Sequence, residues 1–143
     1  VTDVLAEVSR SGPATAETVD ALHDDLDRLW AAADFVPDLD RMAFATAVIE
    51  AASNVVQHAV PSRESVQLGV DISVRPHRLH ARILEIGAAP ASVELAGEHG
   101  DDEEAESGRG LALIRALVST VTFERRGADN VWVLWRDAPG ATS

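Results

Sequence analysis

Cysteine and lysine are both missing from this 143-residue chain. Without cysteine there are no disulfides, no thiolate metal sites and no cysteine nucleophile. Without lysine every basic residue is an arginine, which excludes a P-loop lysine and Schiff-base chemistry. A polyphosphate ligand would have to be held by backbone amides, arginine and a metal ion. No apolar run approaches the roughly 20 residues that span a bilayer. The opening Val-Thr-Asp-Val-Leu-Ala-Glu also lacks the basic flank and apolar stretch of a signal peptide. A cytoplasmic location with no membrane partner is the resulting expectation. Basic charge is scarce as well, with 12 arginines against 24 acidic residues and a net charge of -12. That balance argues against a nucleic-acid partner, because neutralising phosphates needs a basic face.

What is present is a globular composition, 46% hydrophobic, in a length that predicts one domain over residues 1–143 with its own core. A short strand is expected at residues 4–8, followed by a break at Ser11-Gly12-Pro13. Thr15 or Thr18 then caps a helix carrying Val19, Leu22, Leu26, Leu29 and Trp30 at helical spacing. Asp38 is the expected N-cap of a second helix to about residue 59, its core face holding Phe44, Val48, Ala52, Val55 and Val56. Pro61 ends it. From Ser65 the period changes to two. Val66, Leu68, Val70, Ile72 and Val74 read as a half-buried strand, and Arg75-Pro76-His77-Arg78 turns the chain into another over 79–86.

Residues 88–107 include Glu98-His-Gly-Asp-Asp-Glu-Glu-Ala-Glu and read as a mobile acidic loop. A helix over 110–120 follows, with Leu111, Ile114, Leu117 and Val118 inward. Strands at 121–125 and 131–136 flank a hairpin turn, Gly127-Ala-Asp-Asn130. Strands joined by tight turns, with helices grouped between them, predict an α+β fold. It is a two-layer α/β sandwich with a mainly antiparallel mixed sheet and helices on one face.

Two segments carry chemistry. Glu50-Ala-Ala-Ser-Asn54-Val-Val-Gln-His58 spaces a carboxylate, an amide and an imidazole four residues apart. Each step drifts only about 40° around a helix of 3.6 residues per turn, so the three form one polar stripe. Alone, such a stripe also reads as the solvated side of an amphipathic helix. Here it is flanked by Ala47, Ala51 and Val55, and the partial burial this implies would demand polar partners. Gly108-Arg-Gly110-Leu-Ala-Leu-Ile is a glycine turn entering a helix, a geometry that binds phosphate through free amides. Alone it also reads as a packing turn. Between the two segments lies Glu85-Ile-Gly87, an acid at a strand end.

In this order the three segments resemble the histidine-kinase-like (GHKL) ATPase superfamily. Within it the chain is most similar to the RsbW-like branch, the anti-sigma-factor serine/threonine kinases of partner-switching systems. The first segment looks like the N-box, the second like the G2-box, and Glu85-Ile-Gly87 falls where the G1-box lies, with glutamate at its usual aspartate. The resemblance implies the Bergerat-type ATP-binding fold, with ATP and Mg2+ as cofactors. Glu50 would be the general base for a serine or threonine hydroxyl, and Asn54 the magnesium ligand through its amide oxygen. His58 would support them. Glu85 and Gly87 would meet the adenine, with Asn130 in the place of a base-contacting threonine. Gly108, Arg109, Gly110 and Leu111 would approach the phosphates, and residues 88–107 would form the lid. Expected partners are an anti-anti-sigma-type antagonist protein, a sigma factor, or both, and a homodimer is common among such kinases. The alternative is a degenerate module with this fold and weak or no nucleotide binding. A metal hydrolase built on Glu50 and His58 ranks last, because the two lie two helical turns apart and no zinc-type histidine cluster accompanies them.

Overall fold

The computed structural model describes residues 3–61, 65–90 and 102–139, with 102–109 as backbone only. The elements run β1 (Ala6–Pro13), α1 (Ala16–Ala32), α2 (Asp38–His58), β2 (Gln67–Arg75), β3 (Arg78–Ile86), α3 (Asp102–Leu117), β4 (Thr120–Arg126) and β5 (Asp129–Asp137). The five strands form one sheet in the order β1-β2-β3-β5-β4. Every neighbouring pair is antiparallel, in line with the mainly antiparallel sheet expected, and the described sheet carries no parallel pair.

The helices lie over one face, as the alternation predicts. Leu68, Val70, Ile72 and Val74 of β2 and Leu79, Ala81 and Ile83 of β3 are buried there, against Leu22, Leu26 and Leu29 of α1 and Phe44, Val48, Ala52 and Val55 of α2. Burying each large side chain fully stabilises by about 1.5–3 kcal/mol before entropy is counted. Val56 is only partly buried at the margin.

Several boundaries differ from the sequence reading, each for a local reason. Ser11-Gly12-Pro13 is not a break but the end of β1, where Pro13 pairs with Gln67. β1 is an edge strand, and an edge tolerates a residue without an N–H. Thr15 does cap α1, its hydroxyl accepting from the Thr18 amide at 3.4 Å. Asp38 is not the N-cap of α2: Pro37 takes that place, and Asp38 and Asp40 sit in the first turn, where negative charge suits the helix dipole. The β4–β5 turn is Gly127-Ala128 alone, with Gly127 at φ 60°, the positive φ a II′ hairpin needs at its first central position. Asn130 is therefore a strand residue.

The largest difference is at α3. It starts at Asp102, eight residues before the expected start, so 102–107 are helix and not loop. The run Asp-Glu-Glu-Ala-Glu explains this: it combines helix-favouring residues with acids at a helix N-terminus. Residues 88–90 are not free loop either. Ala88 bridges to Pro61, and the Ala89 amide donates to the Val60 carbonyl at 2.7 Å. The remainder of the expected lid, 91–101, lies outside the described residues. At its other end α3 stops at Leu117, and Thr120 already belongs to β4.

Candidate functional site

The stripe on α2 is seated under α3. Glu50 and Asn54 are half-buried, because Ala47, Ala51 and Val55 beside them are fully buried and hold that side of the helix down. Gly110 lies directly over the pair. A Cβ placed on Gly110 would stand 2.8 Å from Glu50 Oε1 and 3.2 Å from both amide atoms of Asn54. Only a residue without a side chain leaves these two groups their positions. Residues more than fifty positions apart in the chain thus meet at a carboxylate, an amide and a bare backbone.

His58 ends α2 and is exposed, two turns from Glu50; the structure does not bring it to the carboxylate. Leu111 is buried in the core beside Ile114. Gly108 and Gly110 stand inside α3, so their amides belong to a helix and not to an open turn. The side chain of Arg109 lies outside the described residues.

The third segment builds a second polar point. Glu85 is on β3, on the helix-facing side of the sheet, and only 5% exposed. Its Oε2 is buried with no hydrogen-bond partner among the described residues. Burial pushes its carboxyl above the ordinary glutamate pKa, while the Asn130 amide and the Arg125 charge pull the other way. Asn130, 1% exposed, sits opposite Glu85 in the β3–β5 register. It donates to the Ala89 carbonyl at 2.9 Å and accepts from Arg125 Nη1 at 3.0 Å. Arg125 also donates to the Ala88 carbonyl at 2.7 Å. Asn130 therefore holds the segment after Gly87 in place, with its amide occupied at both ends.

Gly87 has φ 75°, a conformation that favours glycine, and its amide donates to Asp129 Oδ1 at 3.3 Å. Arg125 and Asp129 were not visible as site residues from the sequence. The signal is the register that sets Asp129 and Asn130 against Ile86 and Glu85, and it depends on a pairing between strands far apart in the chain.

An unpartnered buried carboxylate oxygen is costly, about 1–3 kcal/mol or more for a charged group, so Glu85 fits a ligand that brings an N–H donor. The amide oxygen of Asn54 is a hard donor suited to Mg2+, and the gap over Gly110 leaves it uncovered. Among the described residues no group of three or more histidine, cysteine, aspartate or glutamate side chains could hold a metal by itself. The donor set fits a magnesium ion that shares its shell with a bound polyphosphate. No helix among the described residues is long and apolar enough to cross a membrane.

Comparison with known proteins agrees with this fold. The RsbU and RsbW domains of Rv1364c from Mycobacterium tuberculosis superpose with a TM-score of 0.65 at 16% identity, over 92% of this chain and 32% of that one. The histidine kinase domain of the blue-light activated histidine kinase EL346 from Erythrobacter litoralis superposes with a TM-score of 0.57 at 17% identity, over 88% of this chain and 61% of that one. The chain thus spans about a third of the first structure and three fifths of the second, and at these identities the likeness is one of fold. No curated protein matches the chain. The family model described as histidine kinase-like ATPase domain matches residues 12–135, a stretch that takes in Glu50, Asn54, Glu85, Gly110 and Asn130, and the chain belongs to that family.

Proposed function

We propose that this chain binds ATP with Mg2+ and transfers the γ-phosphoryl group to a serine or threonine hydroxyl of a partner protein, as an anti-sigma-factor-type kinase. The observation that carries the reading is the seat of Glu50 and Asn54 against the bare backbone of Gly110. Glu50 takes the proton of the attacking hydroxyl as its oxygen bonds to phosphorus and the bond to the ADP oxygen breaks. A well-placed base of this kind contributes on the order of 10²–10⁴-fold. Asn54 holds the magnesium through its amide oxygen, and the ion supplies charge neutralisation at the phosphates.

Glu85 accepts from the adenine amino group, which satisfies its orphaned Oε2. Asn130 and Arg125 act as positioning residues through Ala88 and Ala89. Gly110 contributes by leaving room beside Glu50 and Asn54. The partner is an anti-anti-sigma-type antagonist, a sigma factor, or both in exchange.

A second reading keeps the fold as an interaction module with weak or no nucleotide binding. One observation favours it: α3 runs unbroken through residues 108–110, so that stretch presents no free amides. Glu50→Gln separates the readings, because it preserves shape and removes the base. With labelled ATP and candidate antagonist proteins, the wild-type chain is expected to label a serine or threonine. The variant should bind ATP equally and label none. Transfer at wild-type level by Glu50→Gln would remove Glu50 from the mechanism. No nucleotide binding by either protein would favour the interaction module.

A further inference from the structure

The sheet face away from the helices carries a basic cluster that the nucleotide site does not use. His80 of β3 sits opposite Trp135 of β5 in the register, the two ring centroids 4.1 Å apart. The Arg78 guanidinium lies 4.2 Å, and that of Arg75 5.5 Å, from the Trp135 ring. Arg82 projects from the same side of β3, since alternate strand residues share a face. Arg78 has a loose partner in Asp137 at 3.4 Å, and Arg75 Nε donates to the Ser73 hydroxyl at 3.1 Å. Neither Arg75 nor Arg82 forms an ion pair among the described residues, and Arg82 Nε is buried with no hydrogen-bond partner among them. Asp71 pairs with Arg82 in the register but makes no salt bridge to it.

In a chain of net charge -12 with only 12 basic residues, two arginines over one tryptophan, with Arg82 two positions beyond His80 on the same face, gather positive charge on an acidic molecule. Burial, then the charges of Arg75, Arg82 and Arg78 against the opposing charge of Asp71, push the His80 pKa down to about 4. The imidazole is neutral at physiological pH and adds flat surface without charge.

We propose that this open sheet face, centred on Trp135 and carrying Arg75, Arg78 and Arg82, docks an acidic segment of a partner polypeptide. Charge complementarity selects the occupant. Guanidinium groups bind carboxylates in paired, planar geometry, and the tryptophan gives the segment an apolar floor. A second copy of the chain would bring the same three arginines against themselves. Extended nucleic acid would meet the acidic remainder of the molecule. The proposal stands apart from the α2–α3 site and does not depend on ATP.

The test is fluorescence anisotropy with labelled decaglutamate, compared with a serine–glycine peptide of equal length and with oligothymidylate. Wild-type chain and the double variant Arg75→Gln/Arg78→Gln are compared after thermal melting shows that both fold. Arg82→Gln is the second variant in case the first is unstable. Saturable binding of decaglutamate alone is expected, weakened by salt and by roughly tenfold or more in either variant. Equal binding by wild type and variants would overturn the proposal, as would no binding or preferential binding of oligothymidylate. So would a dimer in sedimentation that the variants dissociate, which would assign the face to a second copy.

Discussion

Glu85 is the residue at which chemistry and stability make opposed demands. Its carboxyl is buried, one oxygen has no partner among the described residues, and its pKa is raised, chiefly by desolvation. A raised folded-state value means the fold is favoured with the proton on. That contribution is fully present below the ordinary glutamate value, about 4.3, and is lost as pH rises through the folded value. Glu85→Gln is neutral at every pH and never incurs the loss. The variant should gain stability over wild type as pH rises to neutrality and above, and show little difference near pH ~4; urea midpoints at the two pH values check it. Parallel curves would mean that Glu85 is not desolvated as described.

Under the proposed function, bound ATP would reverse the demand, since an adenine amino group would stabilise the ionised carboxylate. ATP affinity should therefore fall as pH drops through the raised Glu85 value. At this scale the sequence was readable in part. Glu50, Asn54 and Glu85 stood out because spacing and position mark them. Arg125 and Asp129 did not, because their roles exist only once β5 pairs with β3. Asn130 stood out as a possible base contact, yet its amide is engaged with Ala89 and Arg125.

Among the elements, α3 against α2 decides the site and α1 against β1 supports the frame. Gly110 lies inside a helix, where alanine is favoured over glycine by about 1 kcal/mol. Yet a Cβ there would press on the Glu50 carboxylate and the Asn54 amide, side-chain ends that can move aside. Gly110→Ala should therefore leave the melting temperature unchanged or raised while phosphoryl transfer falls at least roughly tenfold. Transfer at wild-type rate would show that the fit at Gly110 is packing alone.

At the β1 edge of the same helical layer, Asp25 of α1 is 1% exposed. It accepts from Arg10 Nε at 2.7 Å and Nη2 at 2.8 Å, and pairs with Arg28. The hydrogen bonds from Arg10 hold its carboxyl below the usual range. That stabilisation is present above the ordinary aspartate value of about 3.9 and lost as pH falls through the depressed one. Asp25→Ala should cost about 2 kcal/mol at neutral pH, read as a lowered urea midpoint, with the gap closing in acid. The helices were legible from apolar spacing, and the start of α3 was not. Glycines weigh against a helix in sequence, but the Asp-Glu-Glu-Ala-Glu run ahead of them carries the helix through.

For the whole molecule, the alternation of β2 and β3 and the tight turns were enough to predict a sheet covered by helices on one face. Strand order was not readable, because insertion of β5 between β3 and β4 rests on non-local pairing. That order sets the two proposed sites on opposite faces of the sheet. The helix-covered face carries Glu85 and Asn130, and the open face carries the arginines near Trp135.

The covered face is proposed to bind a nucleotide. Calorimetric titration of the chain with ATP, with and without magnesium, tests it most directly, with Glu85→Ala and Asn54→Ala run alongside. Saturable micromolar binding by the wild type is predicted, with the magnesium dependence lost in Asn54→Ala and affinity reduced in Glu85→Ala. Absence of heat up to millimolar ATP, or equal binding by all three proteins, would contradict it.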